Sequence, residues 1–286
     1  MFTSIVAGLA AGGAYALLGV CMVFTYRLVA VVNFTGAAIG ATGTFVMVIL
    51  AEDGVALPWA VLAGLVSGTL TAALLGTVMM KWFAGAPPQT KAAVTVALLV
   101  GMIALGLRLT GGQHPRPFPD LVPGAAFSFA GVVITRSALV IMTLALAFTI
   151  GATRFLNHTR TGLKLRALSE RPMTAELVGI PARSLSIGVW AVAGLATTLA
   201  LMIIAPQRAP NFLTFSMLVV PAFAAALIGS FRSFWLTLFG GISLGLLEGL
   251  AASLTFLQQF RSAVPFLIIL FVLLWSQRGA RWDEAR

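Results

Sequence analysis

Apolar runs long enough to cross a bilayer fill most of this chain, and that pattern decides what solvent it can fold in. A crossing helix needs about 20 residues, with a range of roughly 17 to 25. Such runs are Ser4–Tyr26, Val29–Leu50, Ala56–Met80, Ala92–Leu109, Ser137–Thr153, Leu185–Ala205, Phe215–Ser230, Phe234–Thr255 and Ala263–Ser276. The second and seventh are the weakest. Either can be a broken or re-entrant element, which a membrane tolerates only where protein or water satisfies the backbone. Hydrophobic residues make up 59% of the 286 positions and charged residues 9%, against about a quarter charged in soluble domains. The expected fold is all-α, a single polytopic membrane bundle over residues 1–286 with about 8–9 spans. The N-terminus has no basic segment, and its apolar run continues past Val23 without a processing site. A retained first span is therefore expected rather than a cleaved signal peptide.

The charges lie between the runs. Arg154, Arg160, Lys164, Arg166, Arg171 and Arg183 crowd one segment, residues 154–184, which cannot lie in hydrocarbon and by its cationic character belongs to the cytoplasm. Alternation then places Arg27, Lys81, Lys91, Arg232, Arg278, Arg281 and Arg286 on the same side. It leaves Arg108, Arg116, Arg136, Arg208 and Arg261 outside with Glu52 and Asp53. That bias predicts N-out, C-in. It also accounts for the net charge of +10 without nucleic acid as a partner. Trp59, Trp82, Trp235 and Trp275 fall at span ends, where interfacial tryptophans belong.

Glycines four residues apart, Gly8/Gly12, Gly36/Gly40, Gly64/Gly68 and Gly241/Gly245/Gly249, mark helix faces on which backbones approach closely. Tight static packing and sliding faces need the same glycines. Residues 110–136 carry Pro115, Pro117, Pro119 and Pro123 and then alternate as F-S-F-A-G-V-V-I-T. A non-helical external loop with a short strand or hairpin is expected, serving as a landing site for an outer partner or as an inert lid.

Chemistry is scarce. There is no G-x-x-x-x-G-K-[ST], no H-E-x-x-H and no paired C-x-x-C; His114 and His158 fall in loops on opposite faces, and Cys21 stands alone in an apolar run. No metal site, no cofactor and no enzymatic activity is expected. Asp53, Asp120 and Asp283 lie outside the spans, and Glu248 is the one acid expected in mid-membrane. It can serve as a proton or sodium relay or as a hydrogen-bonded structural residue. A single acid is thin machinery for ion coupling, so the energy source is expected on another chain.

Within residues 154–184, Gly162–Leu168 can begin a helix, Arg171-Pro172 interrupts it, and Met173–Val178 can form a second short helix. Gly179 would end that helix and Pro181 forbids its continuation. Met173, Leu177 and Ile180 make an apolar stripe beside Thr174 and Glu176. The stripe suits a groove on a soluble protein and equally a lipid surface.

The run T-G-L-K-L-R-A-L-S-E-R-P-M-T-A-E-L-V-G-I resembles the cytoplasmic loop of the branched-chain amino acid ABC permeases of LivH type. Their pattern is G-x-x-x-R-A-x-A-E-[DN]-x-x-x-A-x-L-x-G-I. Gly162, Arg166, Ala167, Glu170, Ala175, Leu177, Gly179 and Ile180 match, and Ser169 replaces Ala. The opening G-L-A-A-G-G-A-Y-A-L-L-G-V, with Gly8, Gly12, Tyr15, Ala16 and Leu17, is similar to the family's first helix. Val32-Asn33-Phe34 followed by Gly43 resembles its V-I-N-F-A-H-G-E-x-x-x-x-G segment. A-A-A-L-I-G-S-F-R-S and G-G-I-S-L-G-L-L-E-G-L resemble its A-A-x-x-G-G-x-G-S and G-x-x-x-G-x-x-E runs.

The resemblance implies a permease subunit of an ATP-driven importer in the bacterial inner membrane. It implies a homologous second permease, two cytoplasmic ATP-binding subunits and an extracytoplasmic solute-binding protein as partners. Gly162, Arg166, Glu170, Met173, Ala175, Glu176, Leu177 and Gly179 would couple to the ATPases, with branched-chain or related amino acids as cargo. One departure bears on the cargo. The family's His-Gly-Glu becomes Gly36-Ala37-Ala38, which leaves urea and short amides open. Asn33, Thr35 and Thr42 are the candidates to face the path, since a polar solute needs hydrogen-bonding groups there, though each can instead bond another helix. An ion-coupled carrier built on Glu248 is the reading from a different class.

Overall fold

The computed structural model describes residues 2–112, 116–129, 132–170, 172–207, 211–254, 256 and 258–283. His114, Arg171 and Arg208 lie outside the described residues, as do the side chains of Met173 and Glu176. The helices are α1 (Phe2–Val29), α2 (Gly36–Glu52), α3 (Leu57–Trp82), α4 (Pro88–Leu109), α5 (Arg136–His158), α6 (Arg160–Glu170), α7 (Pro172–Leu177), α8 (Ala182–Ile204), α9 (Phe212–Ser216), α10 (Val219–Ile228), α11 (Phe234–Ser253) and α12 (Val264–Asp283). Their starts follow local chemistry. Pro58 and Pro88 sit in the first turns of α3 and α4, where a missing N–H costs nothing. Thr135, Asn211 and Ser233 accept the backbone N–H of Ala138, Thr214 and Leu236.

Among the described residues seven apolar helical segments are long enough to cross a membrane: those of α1, α3, α4, α5, α8 and α11, and Gln258–Trp275, which includes the first part of α12. The protein is therefore a multi-pass, all-α membrane bundle. The two weak runs are the irregular ones. α2 has 17 residues, about 25 Å of helix against a hydrocarbon core of about 30 Å. The non-helical stretch 30–35 precedes it, opening on Ala30 at φ +53°. The seventh run is split into α9 and α10 by a turn at Met217 and Leu218.

Contacts at the span ends test the threading without reference to a membrane. Arg27 lies over the Phe234 ring at 5.0 Å and close enough to Arg166 for the two charges to repel, and Thr95 donates to the Val32 carbonyl. One face therefore gathers the ends assigned inward. At the other face Arg116 pairs with Glu52 and Gln207 donates to Ser137. The loop 110–136 belongs there, with β1 (Ala125–Phe129) and β2 (Val132–Thr135) forming an antiparallel hairpin. Phe118 drives into the outer end of the bundle, its ring edge-on to Phe45 and Phe215 at 5.3 and 5.7 Å.

α1 is the central post, packed by α5, α8, α10 and α11. Its seam with α11 is glycine against glycine. A Cβ on Gly8 would overlap the Gly245 carbonyl, one on Gly12 would lie 2.9 Å from the Ile242 oxygen, and one on Gly245 would overlap the Gly12 backbone. Gly43 and Gly64 do the same for α2 and α3, at 2.5 and 2.6 Å from each other's carbonyl oxygens. Gly36 differs, because its Cβ would find nothing nearer than 3.9 Å. After α10 the chain turns through Ser230 and Phe231 at φ +50° and +54°. The pattern quoted for this run has glycine at the position of Ser230. The ring of Phe231 is held by Tyr26 and Phe223 at 5.0 and 5.8 Å.

Candidate functional site

Three places carry the sequence candidates. The first is the hairpin α6–α7. Thr159 leaves the helical region at ψ 147°, and its hydroxyl accepts the Gly162 N–H at 2.9 Å. α6 consequently starts at Arg160, two residues before the expected Gly162. The reversal brings Gly162 onto the end of α5, where a Cβ would overlap the Phe155 carbonyl; only glycine permits so close a fold-back. Leu165, Leu168 and Ala175 turn inward and are buried, pinning the hairpin to the bundle. Arg166, Glu170, Leu177 and Gly179 face outward. α7 ends as expected at Gly179, φ +80°, and the Ile180 N–H reaches the Ala175 carbonyl at 3.1 Å, the closure of a Schellman motif. The tip this leaves is apolar, with Leu177 89% exposed and Val178 75% exposed. Beside it Ile180, Pro181, Arg183 and Ile187 line an open recess of about 570 Å³.

The second place is where both broken spans meet α1 and α8. Asn33, Gly36, Cys21, Leu18, Thr197 and Ala222 enclose a cavity of about 10 Å³, room for a single water. Asn33 reaches the cavity, while its Oδ1 accepts the Thr35 N–H at 3.0 Å and the Thr35 hydroxyl at 2.6 Å. Thr35 is fully buried by that pairing. Thr42 donates to the Ala38 carbonyl of its own helix at 2.9 Å. Thr197 was not singled out from sequence, and Cys21 was noted only as the lone cysteine of an apolar run, not as a cavity wall. Nothing local marks them, since the cavity exists only once α1, α2, α8 and α10 have converged.

Glu248 is partly buried in the α1–α11 seam and accepts a hydrogen bond from the Tyr15 hydroxyl. Tyr15 is buried. The sequence offered Tyr15 and Glu248 separately, the first within the family's first-helix run and the second as a mid-membrane acid; only the fold joins them. Among the described residues no cluster of His, Cys, Asp and Glu could hold a metal ion.

A family model covers nearly the whole chain. The model of the family described as branched-chain amino acid transport system / permease component matches residues 4–273. A curated relative, the probable branched-chain amino acid transport permease protein LivH of Methanocaldococcus jannaschii, is 23% identical over 253 residues, covering 82% of this chain and 76% of its own. Among solved structures, PsaBC from Streptococcus pneumoniae in complex with Fab is similar at a TM-score of 0.49 with 14% identity, covering 95% of this chain and 89% of that one.

Proposed function

The chain belongs to the branched-chain amino acid transport system / permease component family, and on that premise we propose that it is the translocation subunit of an ATP-driven importer in the bacterial inner membrane. It carries branched-chain or related amino acids. It pairs with a homologous permease, above two cytoplasmic ATP-binding subunits and below an extracytoplasmic solute-binding protein. The observation that carries the reading is the apolar tip Leu177-Val178, held out of a cationic hairpin whose inner residues are packed into the bundle. A leucine offered to water on a six-residue helix gains stability by entering a partner's groove.

Movement of that tip by ATPase closure is transmitted through Leu165, Leu168 and Ala175, buried on the bundle side, to α5 and α8. The cavity at Asn33 then opens to one side at a time. Nucleotide binding shifts the populations of two gate states by its different affinity for each. Asn33 supplies hydrogen-bonding capacity to a polar solute, and Leu18 and Ala222 supply apolar wall.

The test is reconstitution. Proteoliposomes holding both permeases, the ATPases and the binding protein should take up labelled leucine only with ATP inside. Competition by other amino acids should exceed competition by urea or acetamide. Uptake by this chain alone under a proton gradient would overturn the importer; stronger competition by urea would overturn the substrate assignment and leave the importer standing.

A further inference from the structure

Between α1, α5 and α8 an apolar slot of about 330 Å³ opens at the surface of the bundle, walled by Phe24, Phe148, Gly151, Ala152, Phe155 and Val192. Glycine in a helix interior costs about 1 kcal/mol relative to alanine. A Cβ on Gly151 would nevertheless find no protein atom within 4 Å, and neither would one on Gly188, a turn from Val192 on α8. Packing within the chain therefore gives no reason for either glycine.

Basic residues follow the slot residues along α1 and α5. At 100° per residue Gly151, Phe155 and His158 share one face of α5, with Arg154 beside them. Arg154, His158 and Arg160 are exposed. Arg27 follows Phe24 by three residues on α1 and is repelled by Arg166. Among the described residues the one ion pair is Arg116–Glu52, at the opposite face. Among the described residues these groups have no carboxylate partner there.

We propose that the slot binds an anionic phospholipid, with one acyl chain along Phe148, Gly151 and Phe155 and the phosphate among Arg154, Arg160 and Arg27. Basic residues at the cytoplasmic end of an intramembrane groove favour that headgroup by charge. A zwitterionic lipid cancels the same phosphate with its own ammonium. The site depends on the membrane position of these spans and not on what the permease carries.

Native mass spectrometry of the purified full-length protein, offered phosphatidylglycerol or phosphatidylcholine with identical acyl chains, tests the proposal. The wild type should retain phosphatidylglycerol preferentially. Arg154→Gln should reduce that preference roughly fivefold, the effect of one cation near an anionic headgroup. Gly151→Leu should bring phosphatidylglycerol down to the phosphatidylcholine level at an unchanged melting temperature. Ala147→Phe, at an exposed position beside the slot, should do the same and carries the test if Gly151→Leu fails to fold. Equal retention of both lipids by the wild type overturns the proposal. So does unchanged retention in the folded slot-filling variants, or a disulfide between two copies of a Gly151→Cys chain in native membranes.

Discussion

Truncating Leu177 to alanine should separate stability from coupling. The side chain is 89% exposed, so its loss should leave unfolding free energy within about 0.5 kcal/mol of wild type. If a soluble partner buries it, the three carbons removed are worth about 0.8 kcal/mol each, about 2.4 kcal/mol in all. That corresponds to roughly 50-fold weaker binding. Val178→Ala, losing two carbons, should cost about 1.6 kcal/mol, roughly 15-fold. Ala175→Leu should show the opposite profile. Ala175 is 3% exposed, and overpacking there should lower stability by about 1–3 kcal/mol. Titration of the cognate ATPase onto nanodisc-embedded permease, with thermal unfolding measured in parallel, reads both quantities. An affinity for Leu177→Ala within threefold of wild type would refute the docking argument. A loss of stability matching the loss of affinity would also refute it, since the residue would then be structural.

Four further outcomes are expected. Gly245→Ala should lower the melting temperature, because its Cβ would overlap the Gly12 backbone at a cost of about 1–3 kcal/mol. Gly101→Ala, with nothing within 4 Å, should raise it through a gain of up to about 1 kcal/mol. Ser230→Gly should stabilise the chain by roughly 1 kcal/mol in denaturant unfolding, because it removes a side chain held at φ +50°. Glu248→Gln should keep ATP-driven uptake, since an amide oxygen can still accept from Tyr15; abolished uptake in a folded variant would instead indicate a proton relay.

The spans were legible because hydrocarbon demands long apolar helices, and that demand acts on each segment separately. The weakness of Val29–Leu50 and Phe215–Ser230 was legible too, and these became α2 with its irregular entry and the split pair α9 and α10. The external hairpin followed from prolines and alternation. The two-helix form of the hairpin followed from Pro172 and Gly179, while its start at Arg160 depended on Thr159 acting as a hydrogen-bond acceptor for Gly162. Glycine spacing showed which faces pack closely but not which helices meet. Gly8 and Gly12 are matched with Gly245 and Ile242 across more than two hundred residues, and no local pattern encodes such a pairing. Tyr15–Glu248, the Phe118 plug and the walls of the Asn33 cavity are products of convergence for the same reason.

The account rests on the α6–α7 hairpin facing the cytoplasm and meeting the ATPase. Cys21 is the chain's one cysteine and is buried, so a Leu177→Cys chain has a single reactive thiol. A membrane-impermeant maleimide should label it in inside-out vesicles, should not label it in right-side-out vesicles, and should be blocked when the ATPase is bound. Labelling from the outer face, or labelling unaffected by the ATPase, would contradict the account.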